Sequence, residues 1–129
     1  MKPLVIKETN KTPRVVIDPT DGVIEIKGKS IPEDGSIFFN PILRELDRFG
    51  LNMPGNTRVN VQLEYFNTNS SKYIYQIFKK LEAMHRQDKP VQINWYYEQD
   101  DWDLQEAGED YQSILKIPFK MIEIEGEEE

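Results

Sequence analysis

Residues Asn67 to Lys72, reading Asn-Thr-Asn-Ser-Ser-Lys, place three hydroxyls and two carboxamides between an alternating apolar segment and a helical one. At such a junction the first backbone N–H groups of the helix have no partners within it. Ser, Thr and Asn side chains accept from those groups, so capping explains one or two of the five residues from Asn67 to Ser71. The same N–H groups and the helix dipole also favour an anion. A hydroxyl placed there is a candidate phosphoacceptor, because a phosphoryl group adds about −1.5 to −2 charge and strong acceptor oxygens. Lys72 is the cation nearest to it in sequence. Residue types alone leave cap, anion cradle and phosphoacceptor open.

The other chemistry-bearing groups are sparser. Seven carboxylates lie between Glu98 and Asp110. An EF-hand register begun at Asp101 continues through Asp103 and Gln105, then puts Glu106 where Gly is needed and Gln112 where Glu is needed. Asp and Glu at a helix start are ordinary dipole compensation. A small acidic metal-binding domain or enzyme using Asp100, Asp101, Asp103 and Glu106 is the alternative function to be tested. Gly28, Lys29 and Ser30 match the end of a P-loop, but Val23 stands where its first Gly belongs. His85 falls at a helix end, where the dipole favours it, and no nucleophile elbow accompanies it. No catalytic group, metal ligand set or cofactor-binding motif is expected.

Composition narrows the classes further. With 129 residues the chain is long enough for one domain with a buried core. It has no cysteine and one histidine, so disulfides, thiol nucleophiles and multi-His zinc sites are excluded. A formal charge of −7 opposes sequence-independent binding of nucleic acid or anionic lipid. No apolar run approaches the ~20 residues of a membrane span, and the start, MKPLVIKETN, has no secretory apolar stretch. No membrane insertion is expected, the chain reads as cytoplasmic, and the Asn-x-Ser/Thr matches at Asn10 and Asn69 carry no weight.

The elements that position these groups follow from periodicity. Two β-branched runs around Asp18-Pro19 and Asp21-Gly22 predict an N-terminal hairpin. Phe39, Ile42, Leu43, Leu46 and Phe49 form one helical stripe, with Gly50 as its stop and Pro41 fitting only the first turn. Val59, Val61, Leu63 and Tyr65 alternate against Asn60, Gln62 and Glu64. Ile74, Ile77, Phe78, Leu81 and Met84 mark a second helix. Val91, Ile93, Trp95 and Tyr97 alternate against Gln92, Asn94 and Glu98. A third helix from Asp103 carries Leu104, Ala107, Tyr111, Ile114 and Leu115 on one side, and IPFKMIEIE closes as a strand. Strands alternating with helices imply mainly parallel pairing. The two best strands each keep a polar face, so the helices are expected on one side of the sheet only.

In order, TPRVVID, GVIEIKGKSIPED, FFNPI, LEYFNTNSSKYI, VQINWYYEQDD and AGEDYQSILKIPF resemble the SiaC family of bacterial regulatory phosphoproteins, from about Thr12 to Phe119. The resemblance implies an α/β fold like that of the STAS-type anti-sigma factor antagonists: a single domain, 1–124, with a mixed, mainly parallel sheet and an acidic tail, 125–129. It implies a non-enzymatic partner switch. A cognate protein kinase phosphorylates Thr68, a PP2C-type phosphatase reverses this, and the unmodified form binds and activates a diguanylate cyclase, linking the switch to biofilm behaviour. Ser70 and Ser71 are alternative acceptors, and Asn67, Asn69 and Lys72 form the phosphate and cap environment. Asn69 departs from the Ser expected in many relatives. Glu64, Tyr96, Glu98, Asp100 and Asp101 are the candidate partner contacts.

Overall fold

The chain reverses between its first two β-branched runs because Asp18 Oδ1 accepts the backbone N–H groups of Thr20 and Asp21, and Gly22 takes a positive φ of 67°. This hairpin opens a six-stranded sheet in the computed structural model, which describes residues 2–52 and 55–126. The elements are β1 (Leu4–Ile6), β2 (Arg14–Asp18), β3 (Val23–Ser30), α1 (Gly35–Leu51), β4 (Thr57–Phe66), α2 (Thr68–Arg86), β5 (Val91–Glu98), α3 (Trp102–Ile114) and β6 (Phe119–Ile124).

Strand order in the sheet equals chain order, β1 to β6. The first three strands pair antiparallel, and β3 to β6 pair parallel through the helices. Every parallel step moves in the same direction along the sheet. With the right-handed crossovers such units adopt, all three helices then lie on one face. The expected mixed, mainly parallel sheet with one-sided helices is the fold observed.

The core occupies that helical face. Val15, Ile17, Ile24, Ile26, Val59, Val61, Ile93 and Trp95 meet Phe39, Leu46, Phe49, Ile74, Phe78 and Leu81 in one buried cluster. Burying each such side chain contributes about 1.5–3 kcal/mol. The opposite face is polar. There Gln92 Nε2 donates to Asn94 Oδ1 at 2.8 Å, and Asn94 Nδ2 donates to Asn60 Oδ1 at 2.9 Å. This amide chain satisfies groups that no helix covers.

Several local expectations are corrected. Helix α1 begins earlier than its apolar stripe, capped by Asp34, whose carboxylate accepts from Ser36 and Ile37 N–H groups. Pro41 therefore lies in the second turn, not the first. It removes the donor for the Ile37 carbonyl on the exposed side of the helix, where the carbonyl is open to solvent. Gly50 is inside the helix, not its stop. A Cβ there would press on Met84, and its carbonyl accepts from Lys89 Nζ at 2.6 Å, so glycine allows α2 to approach.

Tyr65 does not share a face with Leu63. The β3–β4 register shifts so that Gly28 opposes Leu63 while Lys29 opposes Tyr65, leaving Glu64 as an extra residue. The bulge turns Tyr65 outward, 45% exposed, and brings Phe66 inward against Trp95 at 6.4 Å between ring centres. Ile114 is exposed rather than on the core side of α3, and Gly108 takes that role. Strand β1 has no counterpart in the sequence reading. Of the expected tail, Glu125 and Gly126 have no regular structure, and 127–129 lie outside the described residues.

Candidate functional site

The hydroxyl cluster stands where β4 ends and α2 begins, at the C-terminal edge of the parallel strands. Asn67 is the cap of α2: its backbone is extended (φ −89°, ψ 174°) and its Oδ1 accepts the Ser70 N–H at 2.9 Å. Its own N–H donates to the Ser30 carbonyl at 3.1 Å, tying the turn to the end of β3.

The three hydroxyls then diverge in environment. Ser70 is 0% exposed. Its Oγ donates to the Ser30 carbonyl and accepts from Ser30 Oγ, both at 2.8 Å. Ser71 is half-buried, and its carbonyl accepts the Tyr111 hydroxyl at 2.8 Å. Burial pushes the Tyr111 phenol up to about 12, so it remains a donor across the physiological range. Thr68 occupies the first helical position, exposed, and its hydroxyl has no partner among the described residues.

Surrounding groups add to the positive character of this end. The N–H groups of Thr68 and Asn69 precede the capped Ser70 amide and carry no partner among the described residues. Lys72, exposed, follows Thr68 by four residues and therefore shares its side of the helix. The start of α1 packs alongside: a Cβ at Gly35 would press on the Tyr73 ring and lie 3.7 Å from Asn69 Cβ. Tyr73 stacks on Phe39 at 5.0 Å, locking the two first turns together. The start of α1 thus lies beside the start of α2, but its N–H groups are already capped by the Asp34 carboxylate, so the free amides are those of α2.

The remaining candidates separate into a cleft and a helix start. Glu64, Tyr96, Glu98 and Asp101 line a cleft of about 540 Å³ on the open sheet face. Asp100 lies just beyond, in a left-handed turn (φ 71°). Asp101 caps α3 by accepting the Leu104 N–H at 3.1 Å, and Asp103 sits in the first turn. Among the described residues no group of three or more Asp, Glu, His or Cys side chains converges to hold a metal ion. The acidic segment starts a helix and walls a cleft. His85 Nδ1 accepts the Val91 N–H at 3.1 Å, which fixes it as a link between α2 and β5. Gly28, Lys29 and Ser30 form the end of β3 that faces the β4 bulge, not a phosphate loop.

The SiaC family, described as regulatory phosphoproteins, matches residues 6–124. The chain belongs to this family. Sequence similarity extends to an uncharacterised protein of Pseudomonas aeruginosa strain UCBPP-PA14, 28% identical over 119 residues, covering 92% of this chain and 94% of that one. Among solved structures, SiaC of Pseudomonas aeruginosa superposes with a TM-score of 0.87 at 27% identity, over 96% of this chain and 100% of its own. A complex of the diguanylate cyclase SiaD with its activator SiaC, from the same organism, gives 0.88 at 26% identity, over 94% and 99%. The SiaC family is regulatory, and its solved neighbour is a cyclase's activator rather than an enzyme. No helix among the described residues is long and apolar enough to cross a membrane.

Sequence reasoning missed Ser30 and Tyr111 as supports of the hydroxyl-bearing turn. Ser30 is 40 residues from Ser70, as Tyr111 is from Ser71. No local spacing signals such contacts.

Proposed function

We propose that this SiaC-family protein is a partner switch controlled by phosphorylation of Thr68. A cognate kinase transfers a phosphoryl group to Thr68 Oγ1, and a PP2C-type phosphatase returns it to water. The unmodified protein binds and activates a diguanylate cyclase, acting in the cytoplasm. The observation that carries the acceptor assignment is the sorting of the hydroxyls. Thr68 alone of the three is exposed with a free hydroxyl, whereas Ser70 is sealed between α2 and β3. The cyclase is supported by the solved complex in which the Pseudomonas relative is the activator of SiaD.

The physical switch is electrostatic. A phosphate on Thr68 brings about −1.5 to −2 charge to the start of α2. The unpaired Thr68 and Asn69 amides and Lys72 hold it there without moving the backbone. A partner that covers this turn must then bury a poorly paired dianion, at a cost of several kcal/mol. The complex is lost while the fold is kept.

Incubation with the cognate kinase followed by intact-mass measurement tests the assignment. Thr68→Ala abolishes the phosphate gain, and Thr68→Asp weakens the cyclase complex. Labelling of Thr68→Ala to the wild-type extent overturns it.

A further inference from the structure

We infer that the open face of the sheet, at the end where β3, β4 and β5 finish, docks a segment of the partner that carries lysine or arginine side chains. This deepens the function proposed above, and rests on it, by naming the chemistry of the surface that the effector presents.

The face is unpartnered because all the helices lie on the other side. It is not uniform. Beside the cleft, Arg14 stands opposite Lys27 and reaches back along β3 to pair with Glu25 at 3.1 Å, so those two charges are balanced. The cleft of about 540 Å³ is walled by four carboxylates, those of Glu8, Glu64, Glu98 and Asp101, against the single cation Lys27. Two of the four are already engaged: Asp101 caps α3, and Glu64 lies 4.0 Å from Lys29 Nζ. Glu8 and Glu98 have no partner among the described residues. The Glu8 carboxylate lies directly over Gly28, whose positive φ of 124° and missing Cβ leave room for it.

The partner's chemistry is indicated by the rim itself. Lys29 Nζ is held between the Glu64 carboxylate and the Tyr65 ring, 5.7 Å from its centre. A carboxylate beside an aromatic face is a site for an ammonium or guanidinium group. The cleft repeats that pairing with Tyr96 and Tyr97 beside the unengaged Glu98. Trp102, 71% exposed immediately after Asp101, extends the same rim and has the character of an interface anchor. Four carboxylates select against an acidic surface, and the tyrosines favour cationic side chains over a merely polar one.

The test measures binding of the cognate cyclase by calorimetry to the wild-type protein, to Glu8→Lys/Glu98→Lys, and to Glu106→Lys/Glu109→Lys. The last pair makes the same charge change on exposed positions of α3, across the sheet. Melting curves establish that each variant is folded. The expected result is affinity reduced about tenfold or more for Glu8→Lys/Glu98→Lys, and near wild-type affinity for the α3 variant. Equal binding by all three proteins, or equal loss in both variants, overturns this inference and leaves the proposed function standing. Failure of the wild-type protein to bind any cognate cyclase removes the proposed function, and this inference with it.

Discussion

Replacing Ser70 by Ala separates structural from acceptor roles within the hydroxyl cluster. The substitution deletes the bond from Ser70 Oγ to the Ser30 carbonyl and removes the acceptor for Ser30 Oγ. The carbonyl keeps the Asn67 N–H, but the Ser30 hydroxyl is stranded at 0% exposure. A lost buried hydrogen bond costs about 1 kcal/mol and a stranded donor about 1–2 kcal/mol more, giving about 2–3 kcal/mol in total. For a chain of this length that lowers Tm by about 10 °C. Ser30→Ala/Ser70→Ala leaves no stranded donor, so its cost falls about 1 kcal/mol below the sum of the two single changes. Urea unfolding of the four proteins measures both quantities. Kinase labelling of Ser70→Ala equals that of wild type, since Thr68 remains exposed. A Ser70→Ala protein within about 0.5 kcal/mol of wild type, or strictly additive costs, refutes the reasoning.

Two further predictions concern the groups that hold the helices to the sheet. Glu82, 2% exposed on α2, accepts from Lys79 Nζ at 2.7 Å and from the Lys116 N–H at 2.6 Å. The Lys79 and Lys116 hydrogen bonds hold its carboxyl below the usual range, so its contribution is present at neutral pH and is lost as pH falls below about 4.5. Glu82→Ala costs about 2–3 kcal/mol at pH 7 and flattens the acid limb of a stability-against-pH curve; an unchanged acid limb refutes this. Tyr111 gives the opposite limb. Its folded pKa is raised to about 12 from an unfolded value of about 10, so the stability is full below pH 10 and is lost between about pH 10 and 12. Melting temperatures of Tyr111→Phe and wild type therefore converge across that window, and parallel curves contradict the assignment.

Much of the architecture was legible because strand and helix periods are unmistakable in long segments. Val59, Val61 and Leu63, and then Val91, Ile93 and Trp95, each mark one dry face, and a sheet with one dry face needs only one helical layer. The exceptions arise where a long-range contact overrides a local rule. Tyr65 follows the alternation by sequence, but the bulge opposite Gly28 and Lys29 resets the face after Leu63. Gly50 reads as a stop, yet Met84 needs the space that a side chain would fill. Strand β1 is three residues long and pairs only at the sheet's edge, too short for any period to register. Within the candidate site, residue types placed the hydroxyls at a helix start but did not rank them; the family resemblance alone put Thr68 first. Only the packing of α2 on the end of β3 hides Ser70 and leaves Thr68 open. Gly108 is a comparable case: a Cβ there would overlap the Trp95 indole, so the α3–sheet approach requires glycine although nothing local demands it.

The two tryptophans occupy opposite environments, and this gives the domain a built-in optical readout. Trp95 is 1% exposed, its indole N–H donating to the Leu104 carbonyl at 2.9 Å among Phe78, Tyr111 and Phe119. Its emission reports the integrity of the fold and is shielded from soluble quenchers. Trp102 stands in solvent beside the acidic cleft, and its emission is open to iodide or acrylamide until something covers it. With the partner docked as proposed, docking and unfolding speak through different fluorophores, so a single unlabelled sample distinguishes a protein that has released its partner from one that has lost its structure.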